Sequence, residues 1–224
     1  MSGLVVATIL FVPGKVNAQS HIVFSDLGAG NAYACCSANA AAGSAYPIGI
    51  LETAASFVPT QNVVLDQIDL ALGSIPGWSD SVTISITTDN GGLPGSELVS
   101  WNASGFPQFS TTSNTIQTFV PSTSVLLASN TTYWILEAPA AENTYATWNV
   151  PVGSFATGTF TDFYQTGSGW RTNNPSAPNN FGVPSVAFDV LGTAVPEPSA
   201  FGLAGILCVL GIGASGVTKH RRLR

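Results

Sequence analysis

Hydrophobic and polar residues alternate over several short stretches of this chain, a pattern typical of β-strands with one buried face. Residues 82–87 show it most clearly, because valine and isoleucine alternate there with threonine and serine. Residues 133–136 are instead a continuous aromatic and aliphatic run, which indicates a strand buried on both faces. Between residues 63 and 72 the alternation changes phase near Asp66, so we expect a β-bulge or a turn at that position.

Turn-forming residues separate these stretches at short intervals, and no segment of the body has the periodicity of an amphipathic helix. Residues 29–45 are rich in alanine, but Gly28, Gly30 and Gly43 favour a loop there. The other strand candidates are residues 21–24, 57–58, 98–101, 116–120, 125–127, 146–150, 159–165 and 186–191. The sequence therefore predicts an all-β fold of antiparallel sheets, either a barrel or, as we favour, a jelly-roll-like β-sandwich.

The first 18 residues have the pattern of a secretory signal peptide. Residues 4–12 are apolar, a proline and a glycine interrupt the run, and residues 16–18 match the small-residue cleavage pattern. No basic residue precedes the apolar run, so a buried N-terminal strand is the alternative interpretation. We predict that residues 1–18 are removed and that residues 19–194 form one exported domain.

A second apolar segment, residues 201–217, contains no charged residue and is followed by a basic tail, residues 219–224. As a helix it would span about 26 Å at ~1.5 Å per residue, near the lower limit for crossing a bilayer. The cations of the tail are Lys219, Arg221, Arg222 and Arg224. Because positive charges beside a membrane span stay in the cytoplasm, we expect the tail to be a cytoplasmic anchor and the body to lie outside.

Charge is distributed unevenly along the chain. Between residues 19 and 195 there are eleven acidic residues and one basic residue, Arg171. A domain with so few cations neutralises few phosphates, which argues against nucleic-acid binding. The acidic surface is more typical of an exported protein that stays soluble.

Cysteine and histidine are too few to predict a disulfide framework, a metal site or a Ser-His-Asp triad. Cys35 and Cys36 are adjacent, and Cys208 lies in the second apolar segment. The adjacent pair forms either a strained disulfide ring or two small buried thiols, and the sequence leaves both interpretations open. The two histidines, His21 and His220, lie near opposite ends of the chain.

Residues 195–199 read Val-Pro-Glu-Pro-Ser, directly before the apolar segment and the basic tail. In this order, residues 195–224 resemble the PEP-CTERM sorting signal of exopolysaccharide-producing Gram-negative bacteria. The resemblance implies that Val195, Pro196, Glu197 and Pro198 are recognised by exosortase, a membrane-embedded, cysteine-dependent transpeptidase or protease. It also implies transient anchoring in the inner membrane, removal of the tail, and delivery to the cell surface or the exterior.

The body resembles, more loosely, the choice-of-anchor R type of surface domain. The resemblance lies in residues 87–95, which contain a dense cluster of turn residues, and in residues 131–135 and 146–148. It implies an extracellular β domain and no particular activity.

Two features of the body are candidates for binding. Asp89-Asn90-Gly91 is either an oxygen-rich calcium site or, as we favour, a hairpin turn. Trp78 and Trp170 lie in glycine-rich turns and are candidates for glycan contact, whereas Trp134 and Trp148 lie in strand patterns and are predicted to be core.

We therefore expect an exported, non-enzymatic surface or matrix protein, associated with exopolysaccharide and without a cofactor or a bound metal. A carbohydrate-binding module that recognises surface polysaccharide is the alternative. An extracellular hydrolase is the third hypothesis, and it depends only on the number of acidic residues, because nothing singles out a catalytic pair.

Overall fold

The computed structural model describes residues 19–109, 115–152, 162–166, 169–172 and 186–195, with backbone alone for residues 35–39, 162–166 and 169–172. Within these ranges the chain forms strands and no α-helix, and none of it is a helix long and apolar enough to cross a membrane. The strands are β1 (Ser20–Ser25), β2 (Tyr33–Ala42), β3 (Glu52–Phe57), β4 (Val63–Leu70), β5 (Leu72–Ser74), β6 (Val82–Asp89), β7 (Pro94–Ala103), β8 (Gln117–Phe119), β9 (Leu126–Leu127), β10 (Tyr133–Pro139), β11 (Tyr145–Pro151), β12 (Asp162–Thr166), β13 (Gly169–Thr172) and β14 (Phe188–Ala194).

The strands form three antiparallel sheets. One has the order β1-β14-β4-β8, with β9 also paired to β4, and the largest has the order β13-β12-β3-β10-β6-β7. The smallest, β2-β11-β5, contains the direct continuation of β4, because only Ala71 separates β4 from β5. The predicted all-β, antiparallel architecture is confirmed and is consistent with a β-sandwich, and its jelly-roll-like connectivity stays a prediction.

Alternation along the strands decides which side chains form the core. In β6, for example, Val82, Ile84 and Ile86 are fully buried and belong to the main apolar cluster. In β10, Tyr133 and Ile135 belong to the same cluster, whereas Trp134 packs in a separate one on the opposite face. Since both faces of β10 are covered, its continuous apolar sequence is explained, as predicted.

The phase change near Asp66 is a β-bulge. In the pairing of β14 with β4, Leu191 lies opposite Gln67 and Gly192 lies opposite Leu65, so Asp66 has no partner in the register. The Asp66 carboxylate accepts a hydrogen bond from the Thr193 hydroxyl at 2.8 Å. The prediction of a bulge or turn at this position is confirmed.

The alanine-rich stretch differs from its prediction. Residues 33–42 are strand β2 rather than a loop, and they pair along most of the length of β11. The glycines that favoured a loop lie outside the strand: Gly28 and Gly30 precede it, and Gly43 follows it. Small side chains let β2 lie close to β3 and β10, so packing overrides the weak strand propensity of alanine.

The first and last described strands bring the two ends of the domain close together. Ser20 of β1 lies opposite Thr193 of β14, and Ala194 lies opposite Val63 at the start of β4. From Val63 the chain runs along β4 to Leu70 and continues through β5, away from both ends. We call the side of Ser20 and Thr193 the proximal end of the sandwich, and the side reached after β5 the distal end.

Candidate functional site: an aromatic cluster at the distal end

Trp78 lies at the distal end, in the turn that follows β5. Gly77 has a φ of 87°, a left-handed conformation that favours glycine. The Trp78 amide donates to the Ile75 carbonyl at 3.2 Å, and the Ser79 amide donates to the Asn143 carbonyl at 3.1 Å. These bonds fix the turn against the connection between β10 and β11, and the indole is half-buried.

The loop between β2 and β3 brings Tyr46 to the same place. The Gly43 amide donates to the Thr144 carbonyl at 2.9 Å, and the Ala45 amide donates to the Glu142 carbonyl at 2.8 Å. The loop therefore lies directly against the same β10–β11 connection that holds the Trp78 turn.

Three rings meet there, and we call Tyr46, Trp78 and Tyr145 the distal aromatic cluster. The Tyr46 and Tyr145 rings are stacked, with centroids 4.6 Å apart and planes at 17°. Trp78 meets each of them edge-on, at 5.8 Å from Tyr46 and 5.7 Å from Tyr145. Since stacked and edge-on pairs are the favoured aromatic arrangements, the three rings stabilise one another in a fixed geometry.

The two tyrosine hydroxyls also interact, at 3.4 Å from each other. Burial, together with the hydrogen bond and the charge interaction with Tyr46, raises the pKa of Tyr145 to about 12, and burial is the largest of these causes. The Tyr145 phenol therefore keeps its proton at neutral pH, and the two hydroxyls can donate and accept hydrogen bonds at the edge of the cluster.

The Tyr46 loop adds exposed aliphatic side chains beside the cluster, while the β10–β11 connection contributes the exposed Glu142 and Asn143. On the Tyr46 loop, Ile48 is 65% exposed and Ile50 is 43% exposed. No lysine or arginine side chain lies among the described side chains of the domain. Flat rings, exposed aliphatic groups and neutral hydroxyls are the chemistry that contacts the apolar face and the hydroxyls of a sugar.

The other tryptophans are placed as follows. Trp134 and Trp148 are 2% and 0% exposed, so their assignment to the core is confirmed. Trp170 lies in β13, where the structure describes the backbone alone, so its predicted glycan contact falls outside the described side chains. Trp101 is half-buried and donates from Nε1 to the Val120 carbonyl at 2.9 Å.

Asp89 belongs to the turn of the β6–β7 hairpin, as predicted. The Asn90 amide donates to the Leu93 carbonyl at 2.8 Å, and Gly91 and Gly92 have φ values of 67° and 86°. The Asp89 carboxylate accepts from the Gly92 amide at 3.1 Å and from Trp134 Nε1 at 2.8 Å. These bonds give the carboxylate a structural role in the turn.

Two further carboxylates face each other on adjacent strands, Asp69 on β4 and Asp189 on β14. The Asp69 carboxylate accepts from the Thr118 hydroxyl at 2.6 Å and from the Gln67 side-chain amide, Nε2, at 3.0 Å. Burial raises the pKa of Asp189 and the nearby Asp69 charge raises it further, while hydrogen bonds from Ser25 and from the Leu27 backbone lower it.

Among the described residues, no group of three or more histidine, cysteine, aspartate or glutamate side chains could hold a metal ion, and this pair is no exception.

The predicted sorting residues fall mostly outside the described ranges. Val195 is described: it is 38% exposed, and its amide donates to the Asn62 carbonyl at 2.9 Å. Pro196, Glu197 and Pro198 lie outside, as do the predicted signal peptide, the membrane segment 201–217 and the basic tail 219–224. Cys35 and Cys36 lie in β2, where only the backbone is described.

Sequence reasoning found Trp78 but missed Tyr46 and Tyr145. The two tyrosines are 99 positions apart, and no local pattern connects them. Comparison of the sequence with protein-family models and with curated proteins finds no match.

Proposed function

We propose that this chain is an exported, non-enzymatic surface or matrix protein that exosortase sorts through residues 195–224. The observation that supports this best is the position of the domain ends: Ser20 and Thr193 are cross-strand partners. A leader before residue 19 and an anchor after Val195 would therefore both attach at the proximal end. The distal end, with its aromatic cluster, would then point away from the membrane.

Mass spectrometry of the protein isolated from its native envelope tests this proposal. We expect an intact mass that lacks residues 1–18 and the segment after the Pro-Glu-Pro motif. Replacing Pro196, Glu197 and Pro198 together by alanine is expected to leave the tail attached and the protein in the membrane fraction, because the extended, charged motif is lost. Ser199→Ala, next to the motif, is the matched control and is expected to be processed normally. A cytoplasmic protein that retains Arg224 would contradict the proposal.

A second candidate function, carbohydrate binding, is favoured by the distal aromatic cluster. The cluster combines three half-buried rings and two phenol hydroxyls, and exposed isoleucines lie on the Tyr46 loop. The eleven acidic residues and single arginine between residues 19 and 195 disfavour recognition of acidic polysaccharides, because an acidic domain repels them. The ligand we propose is therefore a neutral polysaccharide.

Trp78→Ala is expected to weaken retention on the organism's own extracted neutral polysaccharide by at least about tenfold, a loss of about 1.4 kcal/mol. The measurement is affinity electrophoresis of the folded variant. Trp101→Ala, which removes a half-buried indole outside the cluster, is the matched control and is expected to leave retention unchanged. Equal retention of the wild-type protein and the Trp78 variant would show that the distal aromatic cluster is not the carbohydrate-binding site.

A further inference from the structure

Glu137 is a buried carboxylate without a partner. It is 0% exposed, and neither of its two carboxylate oxygens has a hydrogen-bond partner. It follows Tyr133 and Ile135 at intervals of two along β10, so it lies on the same core-facing side of the strand as these two residues. Fully buried polar groups without partners are rare in native proteins, and each calls for a physical explanation.

The neighbours of Glu137 supply neither charge nor a hydrogen bond. Its cross-strand partners are Thr53 on β3 and Ile84 on β6. The Thr53 hydroxyl is already used, since it donates to the Ala40 carbonyl at 3.2 Å. This bond connects β2 to β3, the strand that pairs with β10 at Glu137. Ala41, the residue after Ala40 on β2, is fully buried.

Those titratable groups on the surrounding strands whose side chains are described lie away from Glu137. On β3, Glu52 precedes Thr53 and is therefore on the opposite face. On β6, Asp89 is at the far end and is bonded within its turn. Tyr33, at the start of β2, packs in a different apolar cluster. Among the described side chains around it, Glu137 thus has no counter-charge.

Such a group is neutral when the protein is folded, because an isolated charge in an apolar interior is strongly unfavourable. Burial raises the pKa of Glu137 from its ordinary 4.5 to about 8. In the unfolded chain the carboxyl ionises near its ordinary pKa. Between these two values the folded state binds one more proton than the unfolded state, so stability falls as pH rises.

We propose that Glu137 is a proton-dependent latch: β10 packs against β2 and β3 while the carboxyl is protonated, and this contact loosens when the carboxyl ionises. We call this contact the β10–β2 seam. An ionised Glu137 needs water or a cation beside it. Water reaches the carboxylate only if β10 separates from β2 and β3. The seam is therefore closed in mildly acidic surroundings and opens in alkaline ones.

Unfolding of the purified full-length chain in urea, repeated from pH 4.5 to pH 9, tests the latch. We expect the unfolding equilibrium constant to rise by up to about tenfold per pH unit between pH 5 and pH 8, the limit for one proton. Glu137→Gln and Glu137→Leu are each expected to remove most of this rise. Glu52→Gln, which changes a half-buried carboxyl on the neighbouring strand, is the matched control and is expected to keep most of it.

Hydrogen exchange provides a local readout that general destabilisation would not reproduce. After correction for the intrinsic rate, amides of β2 and β10 are expected to exchange faster above pH 8 in the wild type, while those of β4 and β14 do not. In Glu137→Leu this difference between the sheets is expected to disappear. The proposal is overturned if either folded Glu137 variant keeps the wild-type pH dependence, or if the wild-type unfolding constant is flat between pH 5 and pH 8.

Discussion

Replacing Trp148 by alanine is expected to lower the free energy of unfolding by about 4 kcal/mol, the range for a large aromatic side chain removed from a core. The indole is fully buried, and its ring meets that of Phe188 edge-on at 5.8 Å. Its Nε1 donates to the Ala187 carbonyl at 2.9 Å, so one side chain joins β11 to the segment before β14. The variant therefore loses apolar contact and the hydrogen bond between β11 and the segment before β14.

Urea denaturation followed by circular dichroism measures this change. Trp148→Phe separates the two contributions in part, because it keeps an aromatic ring in the core but removes the N–H donor together with part of the indole's apolar surface. A loss of about 1–2 kcal/mol is expected for it. Trp101→Ala, at a half-buried position with one bond to a backbone carbonyl, is also expected to cost less than Trp148→Ala. Equal losses for Trp101→Ala and Trp148→Ala would contradict the assignment of Trp148 to the centre of the core.

Gly43→Ala is expected to destabilise the domain by about 3 kcal/mol, because a new Cβ would overlap backbone rather than a movable side chain. The overlapped atoms are the carbonyl oxygens of Ala141 and Glu142. The loop after β2 would have to move away from the β10–β11 connection. Tyr46 would then leave Tyr145, so the substitution also affects the distal aromatic cluster.

Two measurements check this prediction. Urea denaturation gives the stability loss, and spectrophotometric titration follows the Tyr145 phenol. Its pKa is expected to fall from about 12 toward its ordinary 10, because burial and the Tyr46 contact that raise it are both reduced. Ser44→Ala changes the adjacent exposed residue and is expected to alter stability by no more than about 0.5 kcal/mol. If Gly43→Ala has the same free energy of unfolding as the wild type, the close approach of the Gly43 backbone to the Ala141 and Glu142 carbonyls is wrong.

The fold class and much of the strand pattern could be predicted because one face of each strand is buried and period-two alternation records that burial. Residues 82–87 and the phase change at Asp66 are the clearest cases. β2 could not be predicted, since small residues such as alanine and serine do not produce a clear alternation of hydrophobic and polar side chains between the two faces of a strand. Its strand conformation comes from pairing with β11 and from close packing on β3 and β10, which are interactions distant in the sequence.

The candidate site was predictable only in part. Trp78 stood out because a large aromatic residue in a glycine-rich turn is unusual. Tyr46 and Tyr145 carry no such mark, and only the hydrogen bonds between distant loops bring them together. Glu137, by contrast, could have been found: extending the alternation of Tyr133 and Ile135 by two residues places an acid on the core side of a strand.

The position of β14 also has a consequence for how the protein reaches its native state. Among the described strands, β1 is hydrogen-bonded only to β14, and β14 lies between β1 and β4. β1 therefore cannot pair until β14 is available. The sheet that contains both strands is completed only after residue 194 has been synthesised and released. Contacts so distant in sequence form slowly. In the export route proposed above, β1 would therefore stay without its partner strand until β14 has left the secretion channel.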